Sequence, residues 1–235
     1  MAQLTLIAVA VLVAGFVQGA TGFGFALLSA PVIGLTEPSL LPVLLLVQML
    51  PINTYIAWRE RHDLDRTSVT WVTVGRFVGT FGGLWVLLLV TERQLSILIG
   101  AFTVVAVLTS FVVPAFEPRR PALVTAGFVT GVTETSTGIG GPPLAVVFQH
   151  LRPATLRSSV AACFLIGELI SVAILAVSGQ ITSRQITISL VMLPPAIIGV
   201  LLSRLVHHRL HGSAMRHAVL GLAFISGVVV LVQAV

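Results

Sequence analysis

The chain has 235 residues, of which 56% are hydrophobic and only 9% charged. At a mean hydropathy of +1.06, it carries more apolar surface than a soluble domain of this length can bury, so lipid must solvate much of it. The net charge of +5 comes from Arg, with no Lys; the Arg residues fall in short turns between apolar runs, which points to membrane topology and away from nucleic acid.

Residues 1–36 hold no charged side chain. They lack the positive start of a signal peptide and stay apolar as far as Leu35, so they read as a retained segment. Turns and charges divide each half of the chain into five apolar pieces. The first five lie near residues 3–20, 23–36, 39–57, 68–90 and 94–115, and the second five near 121–136, 142–150, 157–178, 185–206 and 214–234. The second piece of each half is short, follows a glycine-rich break, and reads as a half-helix. In the third piece, Gln48 and Asn53 are either interhelical hydrogen bonds or pathway lining. In the fourth, Arg76 lies some ~13 Å along the helix. Snorkelling to the cytoplasmic face is its expected fate, and substrate contact is the alternative. Gly75, Gly79 and Gly83 beside it form a small-residue packing seam. The lone Cys163 excludes an intrachain disulfide and a Cys-based zinc cluster. Near the end, His207, His208, His211 and His217 stand among Arg204, Arg209 and Arg216, so a hydrated turn is expected there rather than a metal site.

The two halves repeat one another. GFVQGAT begins at Gly15 and GFVTGVT at Gly127, and each leads into a Thr-Gly-x-Gly step at residues 21–24 and 137–140. Further along, Gly79 matches Gly199 and Gly100 matches Gly221. If the chain turns around at each break, the cytoplasmic loops hold Arg59, Arg61, Arg66, Arg119, Arg120, Arg152, Arg157, Arg204, Arg209 and Arg216. Only Arg93 and Arg184 then lie outside. If each break merely kinks a helix, the count becomes six against six, so the positive-inside rule selects the turn-around. Five passes per half place the halves in opposite orientation, with both termini outside.

The expected fold is therefore an all-α polytopic membrane protein with 8–10 membrane segments. Residues 1–118 form the first repeat and 119–235 the second, together one transport domain. Inverted repeats with a broken helix in each half are a transporter architecture whose binding site lies at the breaks. Non-helical backbone at membrane depth must line a cavity or be buried in protein. A half-helix start offers unpaired N–H groups and the positive end of its dipole to an anion. The expected binding residues are Gln18, Thr21, Gly22 and Gly24 in copy one. In copy two they are Thr133, Ser136, Thr137, Gly138, Gly140 and Gly141, with Thr135 in the same hydroxyl cluster and Pro142 suited to the first helical turn. Gly15, Gly19, Gly127 and Gly131 are assigned to helix packing. Glu134 and Glu168 are intramembrane carboxylates, candidates to carry a coupling proton or to bond a neighbouring helix. A carboxylate beside an anion site must be protonated or paired with Arg, which singles out Glu134.

These motifs resemble the sulfite exporter TauE/SafE family of bacterial permeases, over nearly the whole chain. Residues 138–143, GIGGPP, match the family's second motif, whereas Gly22-Phe23-Gly24-Phe25 departs from the usual Gly-Gly-Gly run in the first. The resemblance implies export of small sulfur or organosulfur oxyanions, such as sulfite or sulfonates, from a bacterial inner membrane. No P-loop is present, so a secondary transporter using an ion gradient or the substrate's own is expected, with no cofactor and no metal. Its partners would be a small anion, the lipid bilayer and a coupling proton. A passive anion channel is the alternative. A membrane-embedded enzyme is a weaker one, since HExxH and GxSxG are absent.

Overall fold

In the computed structural model the described residues are 2–22, 24–112, 116–206, 221, 223–225 and 227–233. They are helical or lie in turns, with no strand among them. The first half forms α1 (Ala2–Thr21), α2 (Phe25–Thr36), α3 (Val43–Arg59), α4 (Arg66–Leu89) and α5 (Glu92–Val112). The second forms α6 (Arg120–Thr137), α7 (Gly141–Phe148), α8 (Pro153–Val177), α9 (Ser183–Val191) and α10 (Leu193–Val206). A further apolar helix covers Ala223–Gln233. The His-rich turn and the start of the last expected piece lie outside the described residues.

Local chemistry sets these boundaries. Asp65 caps α4 by accepting from the Ser68 N–H at 3.1 Å, and Thr182 and Gln185 form a reciprocal capping box on α9. The piece expected at 185–206 divides at Met192, because Pro194 and Pro195 bring no N–H to the start of α10. Helices α1 and α6 both end on a left-handed glycine, Gly22 at φ 88° and Gly138 at φ 81°. Each of these glycines donates its N–H back four residues, to Gln18 O and to Glu134 O, both at 2.8 Å. The GFVxGxT motif finishes α1, but α6 runs four residues further. Residues 134–137 are thus one added helical turn.

Polarity is arranged inside out. Trp85, Leu89, Val112 and Val177 are 68–91% exposed, while Gln18, Gln48, Asn53, Arg76 and Glu168 are fully buried. An aqueous protein reverses this pattern; lipid explains it. Five described helical stretches are long and apolar enough to cross a bilayer: Gln3–Thr21, Arg66–Leu89, Glu92–Thr109, Pro153–Val177 and Ser183–Ser203, the last running through α9 into α10. The protein is multi-pass. Helices α2 and α7 are shorter, at 12 and 8 residues.

The opening helix of each half packs on the other half. Helix α1 lies along α10, and α6 lies along α4. Glycines make both seams. A Cβ at Gly15 would strike the Ala196 carbonyl, one at Gly199 the Leu12 carbonyl, and one at Gly79 or Gly127 the backbone of Phe128 or Val72. Gly15, Gly79 and Gly127 are positions assigned to packing from sequence; Gly199, the repeat partner of Gly79, joins them. Two main cores result. One joins α1, α2, α3 and α5 with Met192, Ala196 and Val200; the other joins α4, α6, α7 and α8. They meet along α3 and α8.

At Gly79 even one methyl group meets backbone that cannot step aside. Gly79→Ala is therefore expected to lower stability by about 1–3 kcal/mol. Gly141, with nothing within 4 Å of its Cβ position, should tolerate Ala within ~0.5 kcal/mol. Melting of the two variants in detergent checks the contrast.

Candidate functional site

Both breaks open on one small cavity of about 20 Å³. From α1 and α2 it is lined by Gln18, Gly24, Phe25, Ala26 and Leu27, and from α6 and α7 by Glu134, Gly138, Gly140 and Gly141. Met49 of α3 and Phe164 of α8 close it. The starts of α2 and α7 therefore face the same space.

Each break is held by a polar side chain of the preceding helix, one turn before it in copy one and two turns before it in copy two. In copy one the Gln18 amide bridges the gap: Nε2 donates to Gly22 O at 3.1 Å and Oε1 accepts from the Phe25 N–H at 3.2 Å. In copy two the motif-equivalent residue is Thr130, whose hydroxyl donates to Gly140 O at 3.3 Å. A Cβ at Gly140 would press on Glu134 and Thr130 at 2.9–3.1 Å, so this glycine lets the start of α7 approach the carboxylate.

Arg76 does not snorkel. It is wholly buried and forms an ion pair with Glu134. The reason is space and partners. A side chain at Gly167 would occupy the guanidinium's volume, so α8 leaves a slot for it. There Nη1 donates to Cys163 O at 3.0 Å and the guanidinium lies 5.5 Å from the Phe164 ring centre. The requirement that Glu134 be paired with Arg if not protonated is met by Arg76. Further along α8, Glu168 accepts from Asn53 Nδ2 at 2.7 Å, an α3–α8 bond. Among the described residues no partner meets Gln48 Nε2, Gln48 Oε1, Asn53 Oδ1 or Glu168 Oε2, all buried.

Of the residues expected to bind, Gln18, Gly24, Gly138, Gly140 and Gly141 line the cavity, and Arg76 reaches it through Glu134. The hydroxyls mostly do not. Thr21 donates to Val17 O at 2.9 Å, and Ser136 and Thr137 donate to Val132 O and Thr133 O at 2.8 and 2.6 Å. Thr135 pairs with Ser171 at 2.8 Å. Thr133 lines an apolar groove of about 530 Å³ bounded by Phe102, Val105, Val129, Ile139 and Pro142. Its size would suit an organic ligand, but it offers no cation. Gly22 lies behind the cavity wall, against Arg157. Phe25, Met49 and Phe164 were not legible as lining residues. Phe25 follows the break directly, which is a usable signal, whereas Met49 and Phe164 sit in apolar runs without distinction. No three-residue group suited to a metal ion occurs among the described residues.

The family model described as Sulfite exporter TauE/SafE matches residues 7–230. The chain belongs to the sulfite exporter TauE/SafE family. It is accordingly a membrane permease of a sulfite-exporting family, as the motifs suggested. No curated protein and no solved structure matched the chain.

Arg76 is expected to behave as a buried ion-pair member. Arg76→Met alone should cost about 3–5 kcal/mol by leaving Glu134 uncompensated, and adding Glu134→Met should recover part of that loss. A double-mutant cycle from detergent unfolding measures it. Additive losses would show that the two side chains do not interact.

Proposed function

We propose that this TauE/SafE protein is a secondary transporter that exports small anions such as sulfite or organosulfonates, with the anion seated in the cavity between the two breaks. One observation carries the reading: two helix starts face a small cavity whose wall includes Glu134, itself paired with the buried Arg76. Helix starts and a guanidinium both favour an oxyanion. At about 20 Å³ the cavity has room for about one water, so an anion enters it only as the cores part.

Glu134 couples a proton to the anion. While ionised it satisfies Arg76, and when protonated it releases the guanidinium to the substrate. Arg76 faces Glu134 from α4, and Glu168 on α8 lies within electrostatic reach of Arg76. Glu168 and Asn53, which join α3 to α8, are the second candidate for proton transfer. Thr21, Gly22, Thr133, Ser136 and Thr137 support the two breaks and act behind Gln18, Gly24, Gly138, Gly140 and Gly141.

The repeats are inverted, with both termini outside the bacterial inner membrane. Alternating access occurs between the two cores that meet at α3 and α8. The interlocked seams α1–α10 and α4–α6 support this choice over rocking of one sequence half against the other, which would shear both seams. With Cys163 replaced by Ala, single cysteines at residues 152–157 should react only from the cytoplasmic side. Labelling from outside would sink the topology.

Flux of sulfite and methanesulfonate in proteoliposomes tests the function. Saturable flux driven by an imposed proton gradient is expected. Gly140→Val should abolish it with membrane assembly intact, because the added side chain meets Glu134 and Thr130. Glu134→Gln should remove the dependence on the proton gradient. Gradient dependence kept in both Glu134→Gln and Glu168→Gln would exclude proton coupling through either.

A further inference from the structure

A second arginine is held as Arg76 is, by a carboxylate close to a break. Arg157, in the second turn of α8, grips Glu60 at the end of α3. Its Nε lies 3.1 and 3.0 Å from the two carboxylate oxygens, and Nη2 lies 3.0 Å from Oε1. Both side chains are largely closed off, at 15% and 12% exposure. The aliphatic stem of Arg157 lies on Gly22, where a Cβ would collide with its Cγ. The Gly22 carbonyl accepts from Gln18, and Gln18 lines the cavity. Gly22 alone therefore stands between Arg157 and a residue of the cavity wall.

Three features distinguish this pair from a plain surface bridge. The bidentate grip on two oxygens is the geometry in which Arg takes an oxyanion. Glu60 has a second cation, Arg59, whose Nη2 is 2.6 Å from Oε1, so the carboxylate keeps a partner when Arg157 lets go. The pair also crosses between the two cores: Arg157 belongs to α8, while Glu60 and Gly22 belong to α3 and the α1–α2 break. Separation of the cores at this end would part the pair and bare the guanidinium beside the break. Arg59, Arg61, Arg66 and Arg152 lie in sequence around the same two turns with Asp63 and Asp65, and Arg152 is 3.7 Å from Asp63, so this end keeps a small positive excess.

We propose that Arg157 is a second anion-binding residue, a relay at the Arg-rich mouth of the first break, which takes a sulfite-type oxyanion in competition with the Glu60 carboxylate. The proposal rests on the anion-transporter reading above. It adds a step before the cavity: the anion exchanges onto Arg157, then passes Gly22 and Gln18 towards Arg76.

The test is sulfite flux in vesicles of defined orientation, with KM measured from each side. Arg157→Gln should raise KM from the Arg-rich side about tenfold, a loss of ~1.4 kcal/mol, and leave KM from the other side within about twofold. Glu60→Gln should lower KM from the Arg-rich side severalfold, because the competitor is gone. A purely structural latch predicts shifts of the same direction in both variants, since they break one bond. That outcome, or an unchanged KM in Arg157→Gln, overturns the proposal. If Arg157→Gln fails to assemble, Glu60→Gln decides by its sign, and Arg157→Lys should raise KM by retaining charge without the fork. No sulfite flux or binding in the unmodified protein would overturn the transporter reading and this proposal together. Normal flux that ignores both substitutions would overturn this proposal alone.

Discussion

A guanidinium with no access to water fixes the centre of this protein. Burying Arg76 without a partner would cost far more than a typical helix contact returns, so its surroundings must supply both space and charge. Gly167 supplies the space on α8, and Glu134 the charge on α6. The Cys163 carbonyl takes a further N–H. Three helices are thereby brought to one point. Helix α6 can come close enough only because Gly75, Gly79 and Gly83 admit the backbone of Val124, Phe128 and Val132, and Gly127 and Gly131 admit that of Val72 and Arg76. The seam is less a packing convenience than a condition for the ion pair to exist.

The two breaks share a plan but not a chemistry. Both close on a left-handed glycine, and both are tied by a side chain of the preceding helix, one turn upstream in copy one and two in copy two. The added turn in α6 is what separates them. Four residues return the chain to nearly the same helical face, so the glycine turn is preserved while Glu134 is introduced just ahead of it. Copy one keeps a neutral amide, Gln18, near the equivalent place. The cavity is thus neutral on one wall and acidic on the other. This asymmetry fits a path whose charged step is confined to one side of the site.

Much of the fold was legible because lipid simplifies the code. Charges mark turns, apolar runs mark helices, and glycine at four-residue spacing marks seams, so each expected piece within the described residues coincides with helix. The division at Met192 shows the limit. Pro194 and Pro195 were visible, but a proline in a membrane helix either kinks or divides it according to its neighbours. The site was legible in location and not in detail. Repeated glycines marked where backbone would be free, yet Thr21, Ser136 and Thr137 proved to be bonded to their own helices, a local competition that composition does not reveal. Arg76 was misplaced for a related reason. Its depth allowed snorkelling, and the decisive facts were Gly167 and Glu134, 91 and 58 residues further along the chain.

The interlocking of the halves bears on how such a protein can move. The sequence repeat suggests two halves as moving parts, but α1 is locked to α10 and α6 to α4 by backbone contact at glycine. Sliding either seam would drive Cα against carbonyl, which close-packed interfaces do not accommodate gradually. The weaker junction is elsewhere. Between the cores run the Asn53–Glu168 bond, the cavity and the Arg157–Glu60 pair, beside an apolar contact of Val43 and Leu46 on α3 with Leu175 on α8. Two buried atoms at this junction, Asn53 Oδ1 and Glu168 Oε2, meet no partner among the described residues, so water entering there finds groups to hydrate. Under the proposed function the anion path and the line of motion coincide, because the residues proposed to hold the substrate lie at this joint.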